Sequence, residues 1–333
     1  MDRRRRRPPE ELAGPLLAGL LLAGVAVPVA LAALGDAPLK AMLWVSRDAD
    51  PARALGTVPT ECLKAPADPA QAASVEIGRA AFRTQVLLGG QAARAGITCE
   101  TCHRGGRANP DFQFPGVSGA PGTADVTNSL FSTHRGDGID NPKPIPDLSG
   151  PKASLKVDQD PASGKLQPFI HGLVTEEFDG PEPTPAVMAG LTAYVRALDP
   201  AACPARAREP MSVALLMSDA RRALAAAQGA AASGDAPTAM LMVAAARSRL
   251  GLIDERYAAP ALTKPRDDLR AADRRLATVQ AALHDRRVSE AQGELTAWLA
   301  GSRRLEASLA AQQAASLFDP ARLAQAAKRR LPG

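Results

Sequence analysis

The amino-acid sequence predicts an all-α protein, and two observations support that fold class. Hydrophobic residues make up 46% of the 333 residues but aromatic residues only 3%, and much of the apolar fraction is alanine, which fills helical interfaces better than sheets. Apolar residues also recur at helical spacing in six segments from residue 74 onward. At about 150 residues per domain, the chain is long enough for about two domains.

The N-terminus carries a targeting or anchoring signal. Arg3 to Arg7 precede the run Leu12 to Leu34, which contains no charged residue. A secretory signal has an apolar region of about 7–15 residues and a spanning helix about 20, so the length favours an anchor. The series Ala30-Leu31-Ala32 keeps a cleaved signal peptide open as the alternative. Either way, residues 1–35 are expected to send the chain to the periplasmic side of a bacterial inner membrane.

A Pro/Ala-rich stretch, residues 36–73, follows this run and has few periodic apolar positions, which predicts a tether. A short amphipathic helix then begins with Ser74 as its N-cap and stops at Gly89-Gly90. Its apolar positions near helical spacing are Val75, Ala81, Phe82 and Val86.

The stretch from Arg104 to Gly180 is dominated by Gly, Pro, Asp, Asn and Ser, and no helix or strand is predicted in it. So long a loop is uncommon in a compact domain, and we expect something other than secondary structure to organise it. Helical periodicity returns at Pro185, a residue that suits the first turn of a helix. One face of that helix carries Val187, Leu191, Tyr194 and Leu198.

Beyond Pro204 the sequence becomes rich in Ala, Arg and Leu, and four helices are predicted, at roughly 211–232, 236–256, 266–284 and 287–316. The last two carry narrow apolar seams at a spacing similar to that of coiled coils, and such seams pack against other helices. We therefore expect an α-helical, bundle or coiled-coil-like domain over 205–333, after a first domain over 74–204. These helices would bind a protein partner or a second copy of the chain.

Charge and motifs exclude several function classes. The formal net charge is +5, of which +2 comes from the first eleven residues, and this is too little to predict nucleic-acid binding. The C-terminal half contains no catalytic triad, phosphate loop or metal cluster. No catalytic residue is assigned from the sequence.

The motif that carries chemistry is Cys99-Glu100-Thr101-Cys102-His103. This spacing lets two thiols bond to a haem while the next residue supplies an imidazole to the iron, which is why it predicts c-type haem attachment. Zinc would need two further ligands at close spacing, and the sequence has no second pair. A thioredoxin-like thiol pair would need a βαβ context and would not specify the histidine. One covalent haem c is therefore the predicted cofactor.

The sequence IGRAAFRTQVLLGGQAARAGITCETCHRGG, followed by QPFIHGLVTEEFDG and LTAYVRALD, resembles the haem c domains of the bacterial di-haem cytochrome c peroxidase superfamily. It resembles class I cytochromes c more loosely. The resemblance covers about Ser74 to Asp199, roughly two fifths of the chain. It implies a class I cytochrome c-like fold in which the first and last helices cross, with Gly78 and Phe82 against Leu191 and Tyr194. It also implies Cys99 and Cys102 as thioether cysteines and His103 as the proximal iron ligand.

The sequence departs from this family in two ways. Di-haem peroxidases carry two attachment motifs and this chain has one, so peroxidase activity does not follow from the resemblance. The family's methionine ligand cannot be transferred either, because no methionine lies between Cys99 and Val187.

His171 is the first candidate for the distal iron ligand, since it follows the long loop and a second imidazole would give a six-coordinate iron. Its alternative is a supporting role near the ligands. Met188 is the second candidate, although it is more simply a packing residue. His134 is interpreted as a solvated loop histidine and His284 as a surface residue, and an open iron site is the remaining alternative.

Two other features suggest sites. Cys62 and Cys203 are the only other cysteines and flank the predicted haem domain in a chain bound for an oxidising compartment, so we expect a disulfide rather than two unpaired thiols. The loop Asp137–Asn141 offers oxygen ligands for calcium. It lacks the downstream glutamate of an EF-hand, and a turn is the simpler interpretation.

The sequence thus predicts a membrane-tethered periplasmic cytochrome that passes single electrons to a redox partner protein. Arg94, Arg104 and Arg107, close to the motif, would steer an acidic partner unless they are merely solvated. One alternative is a peroxidase-like haem enzyme with an open iron site. The other is a haem-based sensor or scaffold that acts through the C-terminal helices.

Overall fold

The computed structural model describes residues 39–150 and 155–328, and all of these residues lie within one compact unit. The protein is mostly helical, as the sequence predicts. The predicted anchor or signal peptide, residues 1–35, lies outside the described residues. Within the part that is described, no helix is long and apolar enough to cross a membrane.

The first described residues fold onto the rest of the chain, and the tether predicted over 36–73 is wrong where the structure describes it. A 3-10 helix, Lys40–Trp44, is followed by α1, Pro51–Gly56, and by strand β1, Thr57–Pro59. β1 pairs antiparallel with β4, Arg208–Pro210. Several apolar side chains of this stretch are buried against residues near the C-terminus, in a small core that joins Leu39, Met42, Val45, Ala54 and Leu55 to Leu317 and Leu323. These contacts are distant in sequence and leave no periodic signal.

Helix α2, Pro69–Phe82, crosses helix α6, Pro185–Ala197, at a pair of glycines. A Cβ atom on Gly78 would lie 1.9 Å from the carbonyl oxygen of Gly190, so the two backbones touch. Phe82 and Tyr194 pack one turn away, with ring centroids 5.1 Å apart.

The predicted start of α2 at Ser74 is wrong. The helix begins earlier because the Asp68 side chain accepts a hydrogen bond from the Gln71 amide and Pro69 occupies the first turn. The predicted start of α6 agrees with the structure, where Thr184 caps Pro185 in the same manner.

The long connection between α2 and α6 contains only short elements. Besides three 3-10 turns, Gln85–Leu87, Arg104–Gly106 and Pro161–Ser163, the described residues form α3 (Gly90–Ala95), α4 (Cys99–Cys102), the paired strands β2 (Thr123–Ala124) and β3 (Lys143–Pro144), α5 (Leu166–Gly172) and a π-helical turn (Leu173–Glu177). Three aromatic rings help to organise this region: the ring centroids of Phe114 and Phe131 lie 5.4 Å apart, and those of Phe131 and Phe178 lie 5.6 Å apart. The sequence predicts no helix here, and α5 is the main exception.

The C-terminal region consists of α7 (Val213–Ala232), α8 (Ala236–Arg256), α9 (Thr263–His284), α10 (Val288–Ala310) and α11 (Pro320–Lys328). The first four agree with the predicted helices except that α10 ends at Ala310. The predicted seams are largely buried, including Leu269, Leu276, Leu283, Leu295 and Leu309.

The region predicted as a first domain and the C-terminal helices share one apolar core. Helix α2 contacts both α7 and α8. The packing therefore shows no break at residue 204, where the domain boundary is predicted. The division of the chain into two domains stays a prediction.

Candidate functional site

Cys99, Cys102 and His103 lie together on one helical turn. The turn is set up by Thr98, whose backbone amide donates a hydrogen bond to the Thr101 hydroxyl at 3.0 Å. It continues to His103, whose amide donates to the Cys99 carbonyl at 2.9 Å. Both cysteines carry free thiols. This arrangement places two sulfur atoms and one imidazole on five consecutive residues, as the motif predicts.

The His103 ring is fixed by the far end of the long loop. Its Nδ1 lies 3.0 Å from the carbonyl oxygen of Pro146, and because a carbonyl only accepts, Nδ1 carries the proton. The other nitrogen, Nε2, is then the one with a free lone pair. Burial lowers the pKa of His103 to about 4, although the Pro146 carbonyl acts in the opposite direction. At neutral pH the imidazole is therefore neutral, which is the form that ligates a metal.

Backbone hydrogen bonds hold Pro146 in place. The Ile145 amide donates to the Gly122 carbonyl at 2.9 Å, and the Leu148 amide donates to the Gly106 carbonyl at 3.0 Å. The second bond ties the loop back to the residues just after the motif. The carbonyl that orients His103 is thus part of the loop framework.

The two thiols are protonated at neutral pH. Burial raises the pKa of Cys99 to about 12 and, together with the neighbouring Cys99, that of Cys102 to about 12 as well. Protonated thiols are poor ligands for a bare metal ion. Across residues 39–150 and 155–328, moreover, no three His, Cys, Asp or Glu side chains are grouped so that they could hold one.

Glu100, between the two cysteines, belongs to a buried cluster of charges that sequence reasoning missed. It accepts hydrogen bonds from Arg83 Nε at 2.9 Å and from Arg249 Nη1 at 3.3 Å. We use the name arginine–carboxylate cluster for Glu61, Arg79, Arg83, Glu100, Asp219 and Arg249. No periodicity or motif identifies these residues, because their partners are up to 166 positions apart in the chain.

The two candidates for the distal ligand have different surroundings. His171, on α5, is partly exposed and has its Nε2 at 2.9 Å from the Glu182 carboxylate. Met188, on α6, is buried in the main core. Neither assignment is tested by these contacts, and both stay predictions.

The remaining histidines occupy the places predicted for them. His134 is exposed, and its Nδ1 lies 3.0 Å from Asp179 Oδ1. His284 is exposed at the end of α9. In the loop Asp137–Asn141, the Asp137 carboxylate accepts a hydrogen bond from the Ile139 amide at 2.8 Å, which is the local turn that the sequence suggests there.

The basic residues near the motif differ from the sequence expectation. Arg104 hydrogen-bonds to the Ala54 carbonyl, and burial lowers the pKa of Arg104 to about 10. Arg107 donates to Cys62 Sγ at 2.7 Å. Both guanidinium groups therefore face the protein, whereas Arg94 is exposed and contacts only Gln91 among the hydrogen bonds described. The predicted steering role is wrong for Arg104 and Arg107 because they support the fold.

Cys62 and Cys203 form a disulfide, as the sequence predicts. The bond joins residues 141 positions apart and so ties the segment before α2 to the segment after α6. It lies beside two further links between the same segments, the pairing of β1 with β4 and the bridge between Leu63 and Leu198.

The residues present fit a covalently bound haem by the chemistry of their donor set. Two free thiols lie on one turn, and the adjoining imidazole is neutral with Nε2 available. Comparison with models of known families, with curated proteins and with solved structures yields no match to this chain.

Proposed function

We propose that this chain is a membrane-tethered, periplasmic c-type cytochrome that transfers single electrons through one haem. Cys99 and Cys102 would hold the haem by thioether bonds, and His103 Nε2 would be the proximal iron ligand. When bound, the haem iron supplies a one-electron redox couple. The partner would be a redox protein that docks near the motif.

One observation carries the proposal: the 3.0 Å contact between His103 Nδ1 and the Pro146 carbonyl. Metal-ligating histidines almost always donate their second N–H to a carbonyl or carboxylate, which fixes the tautomer and the orientation of the ring. The His103 ring is fixed by a carbonyl 43 positions away in the chain, as expected for an imidazole that binds iron through Nε2. The two adjacent thiols would then be the attachment points of the haem, rather than zinc ligands or the partners in a disulfide.

The crossing of α2 and α6 supports a class I cytochrome c-like fold for this region. The residues that the resemblance names, Gly78, Phe82, Leu191 and Tyr194, lie at that crossing. Phe82 also lies beside the motif, with its ring centroid 6.4 Å from that of His103. The loop from Arg104 to Gly180 would wrap the haem, which would add to the apolar core that Phe112, Phe131 and other buried residues of the loop already form.

The test is an absorbance spectrum of the oxidised and reduced protein together with its intact mass, after expression in a host that attaches haem c. We expect one added haem mass and the spectrum of a c-type cytochrome. Cys99→Ala combined with Cys102→Ala removes that mass. A wild-type chain without it, purified folded from the same host, contradicts the proposal.

The same spectra test the distal ligand. His171→Ala changes the spectrum if His171 binds the iron, and His134→Ala serves as the matched control because His134 is also partly exposed and paired with a carboxylate. A spectrum that is the same in both variants removes His171 as a ligand. Met188→Leu then tests the second candidate.

A further inference from the structure

The arginine–carboxylate cluster connects the attachment motif to the C-terminal helices. Arg79 comes from α2, Arg83 follows the last residue of α2 as its C-cap, Asp219 comes from α7 and Arg249 from α8. Arg79 donates to Glu61 at 2.8 Å and to Asp219 at 2.7 Å. Arg83 donates to Glu61 at 2.8 Å as well as to Glu100.

Arg249 makes the direct connection. Its Nη1 donates to Glu100 at 3.3 Å, and its Nη2 donates to the backbone carbonyl of Arg83 at 2.5 Å. The guanidinium thus contacts both the motif helix α4 and the end of α2. Its Nε is buried without a hydrogen-bond partner among the described residues, so the side chain is held by its two terminal nitrogens.

The cluster is electrically balanced, with three arginines and three carboxylates. Burial alone would raise the pKa of Glu61, but Arg83 and Arg79 hold it well below its ordinary value. Arg79 and Arg249 similarly offset the effect of burial on Asp219, whose pKa is lowered. Glu61 and Asp219 therefore stay ionised at neutral pH, and the removal of one charge from the cluster leaves its partner uncompensated close to the motif.

We propose that Arg249 is a positioning residue for the haem, one that holds α4 through Glu100 and sets the reduction potential by balancing the charge beside it. This inference rests on the proposed function. It gives the C-terminal helices a role in controlling the reduction potential of the haem attached at the motif.

The sign of the effect follows from electrostatics. An uncompensated negative charge near the iron favours the oxidised form, because that form carries one more positive charge, and an uncompensated positive charge favours the reduced form. Arg249→Gln leaves the cluster one charge negative and should lower the potential. Glu100→Gln leaves it one charge positive and should raise the potential.

The magnitude is measurable. Unit charges about 10 Å apart, at an effective dielectric constant of about 20, change an equilibrium constant by about tenfold. We therefore expect the ratio of reduced to oxidised protein at a fixed applied potential to fall about tenfold in Arg249→Gln and to rise about tenfold in Glu100→Gln. The double variant should return close to wild type because the cluster is balanced again.

The experiment is a potentiometric titration of the full-length haem-loaded protein in these three variants, with intact mass as a second readout of haem content. Arg247→Gln is the matched control, because Arg247 is also on α8 but pairs with Asp273, away from the motif. Arg249→Lys keeps the charge and should stay near the wild-type potential while holding α4 less firmly.

Opposite shifts in the two single variants, with restoration in the double variant, support the inference. Equal shifts of the same sign indicate a merely structural effect such as exposure of the site to water, and they overturn it. If the wild type and the variants all carry haem and have the same reduction potential, the inference is overturned as well, while the proposed function survives. A wild type without haem overturns the proposed function itself.

Discussion

Glu61 is the residue on which the buried charges of α2 converge. It accepts hydrogen bonds from Arg79, from Arg83 and, at 2.5 Å, from the Tyr194 hydroxyl. Burial raises the pKa of the Tyr194 hydroxyl, so the phenol stays a donor. Glu61 lies in the stretch that the sequence predicts as a tether, and its partners are 18 to 133 positions away. A role that depends on such distant partners cannot be deduced from local pattern.

The pH dependence of stability tests Glu61. Its folded-state pKa is well below the unfolded value near 4.5, because the arginines more than offset burial. The carboxylate therefore stabilises the fold above about pH 4.5, and this contribution is lost as the pH falls toward the folded pKa. In urea unfolding at pH 7, 5, 4 and 3, we expect the free energy of unfolding of the wild type to decline mainly below pH 4.5.

Glu61→Gln should lower the free energy of unfolding at pH 7 by about 3 kcal/mol, since it leaves a buried arginine less than fully paired. Its decline below pH 4.5 should be shallower than that of the wild type. Glu290→Gln, which removes an exposed partner of Arg287, is the control and should leave the free energy of unfolding nearly unchanged. A Glu61→Gln variant with the wild-type acid profile would show that the cluster does not govern acid unfolding.

At the scale of elements, the long periodic helices could be predicted and the short ones could not. Each of α7, α8, α9 and α10 spans 20 or more residues, so apolar positions repeat often enough to give a signal. Helix α5 has seven residues and no side-chain cap, and α11 has nine. Both form because tertiary contacts stabilise them, which sequence periodicity does not report.

The helix crossing is the element-scale feature that tolerates change least. Gly78→Ala would bring a methyl group to 1.9 Å from the Gly190 carbonyl oxygen, so α2 and α6 must move apart along their shared contact. We expect a loss of about 3 kcal/mol or more in the free energy of unfolding, measured by urea titration.

Gly301→Ala is the control for that change. Gly301 lies within α10 and a Cβ atom there would meet nothing within 4 Å. The substitution should stabilise the protein by about 0.5–1 kcal/mol, because alanine has the higher helix propensity. If both variants have the same stability, the close approach of α2 and α6 is not a constraint on the fold.

For the whole molecule, the sequence predicts two helical domains, whereas one core and one charge cluster connect them. The predicted seams of α9 and α10 are buried within this protein, and binding of a partner through these helices stays a prediction. The Cys62–Cys203 disulfide adds constraint, since closing a loop of 141 residues contributes about 5 kcal/mol in the chain-entropy model. The disulfide could be predicted because cysteine pairing depends on few residues. The shared core could not, because it depends on many distant contacts.

Cleavage of the connector between the two regions is the test at this scale. Pro204, Ala205 and Arg206 are exposed, so a protease site can be inserted there with little disturbance. Both cysteines of the disulfide lie before the cut, and no covalent bond then joins the pieces.

We expect the two pieces to stay together on size exclusion at neutral pH, because the cut leaves their contacts intact. These contacts are those of α2 with α7 and α8, the Arg79–Asp219 and Arg249–Glu100 pairs and the pairing of β1 with β4. High salt alone should not part the pieces, since buried pairs are only weakly screened. Asp219→Ala combined with Arg249→Ala should weaken the association. Pieces that separate without these substitutions would mean that the two regions are independent domains, and the uncut connector would then be what holds them together.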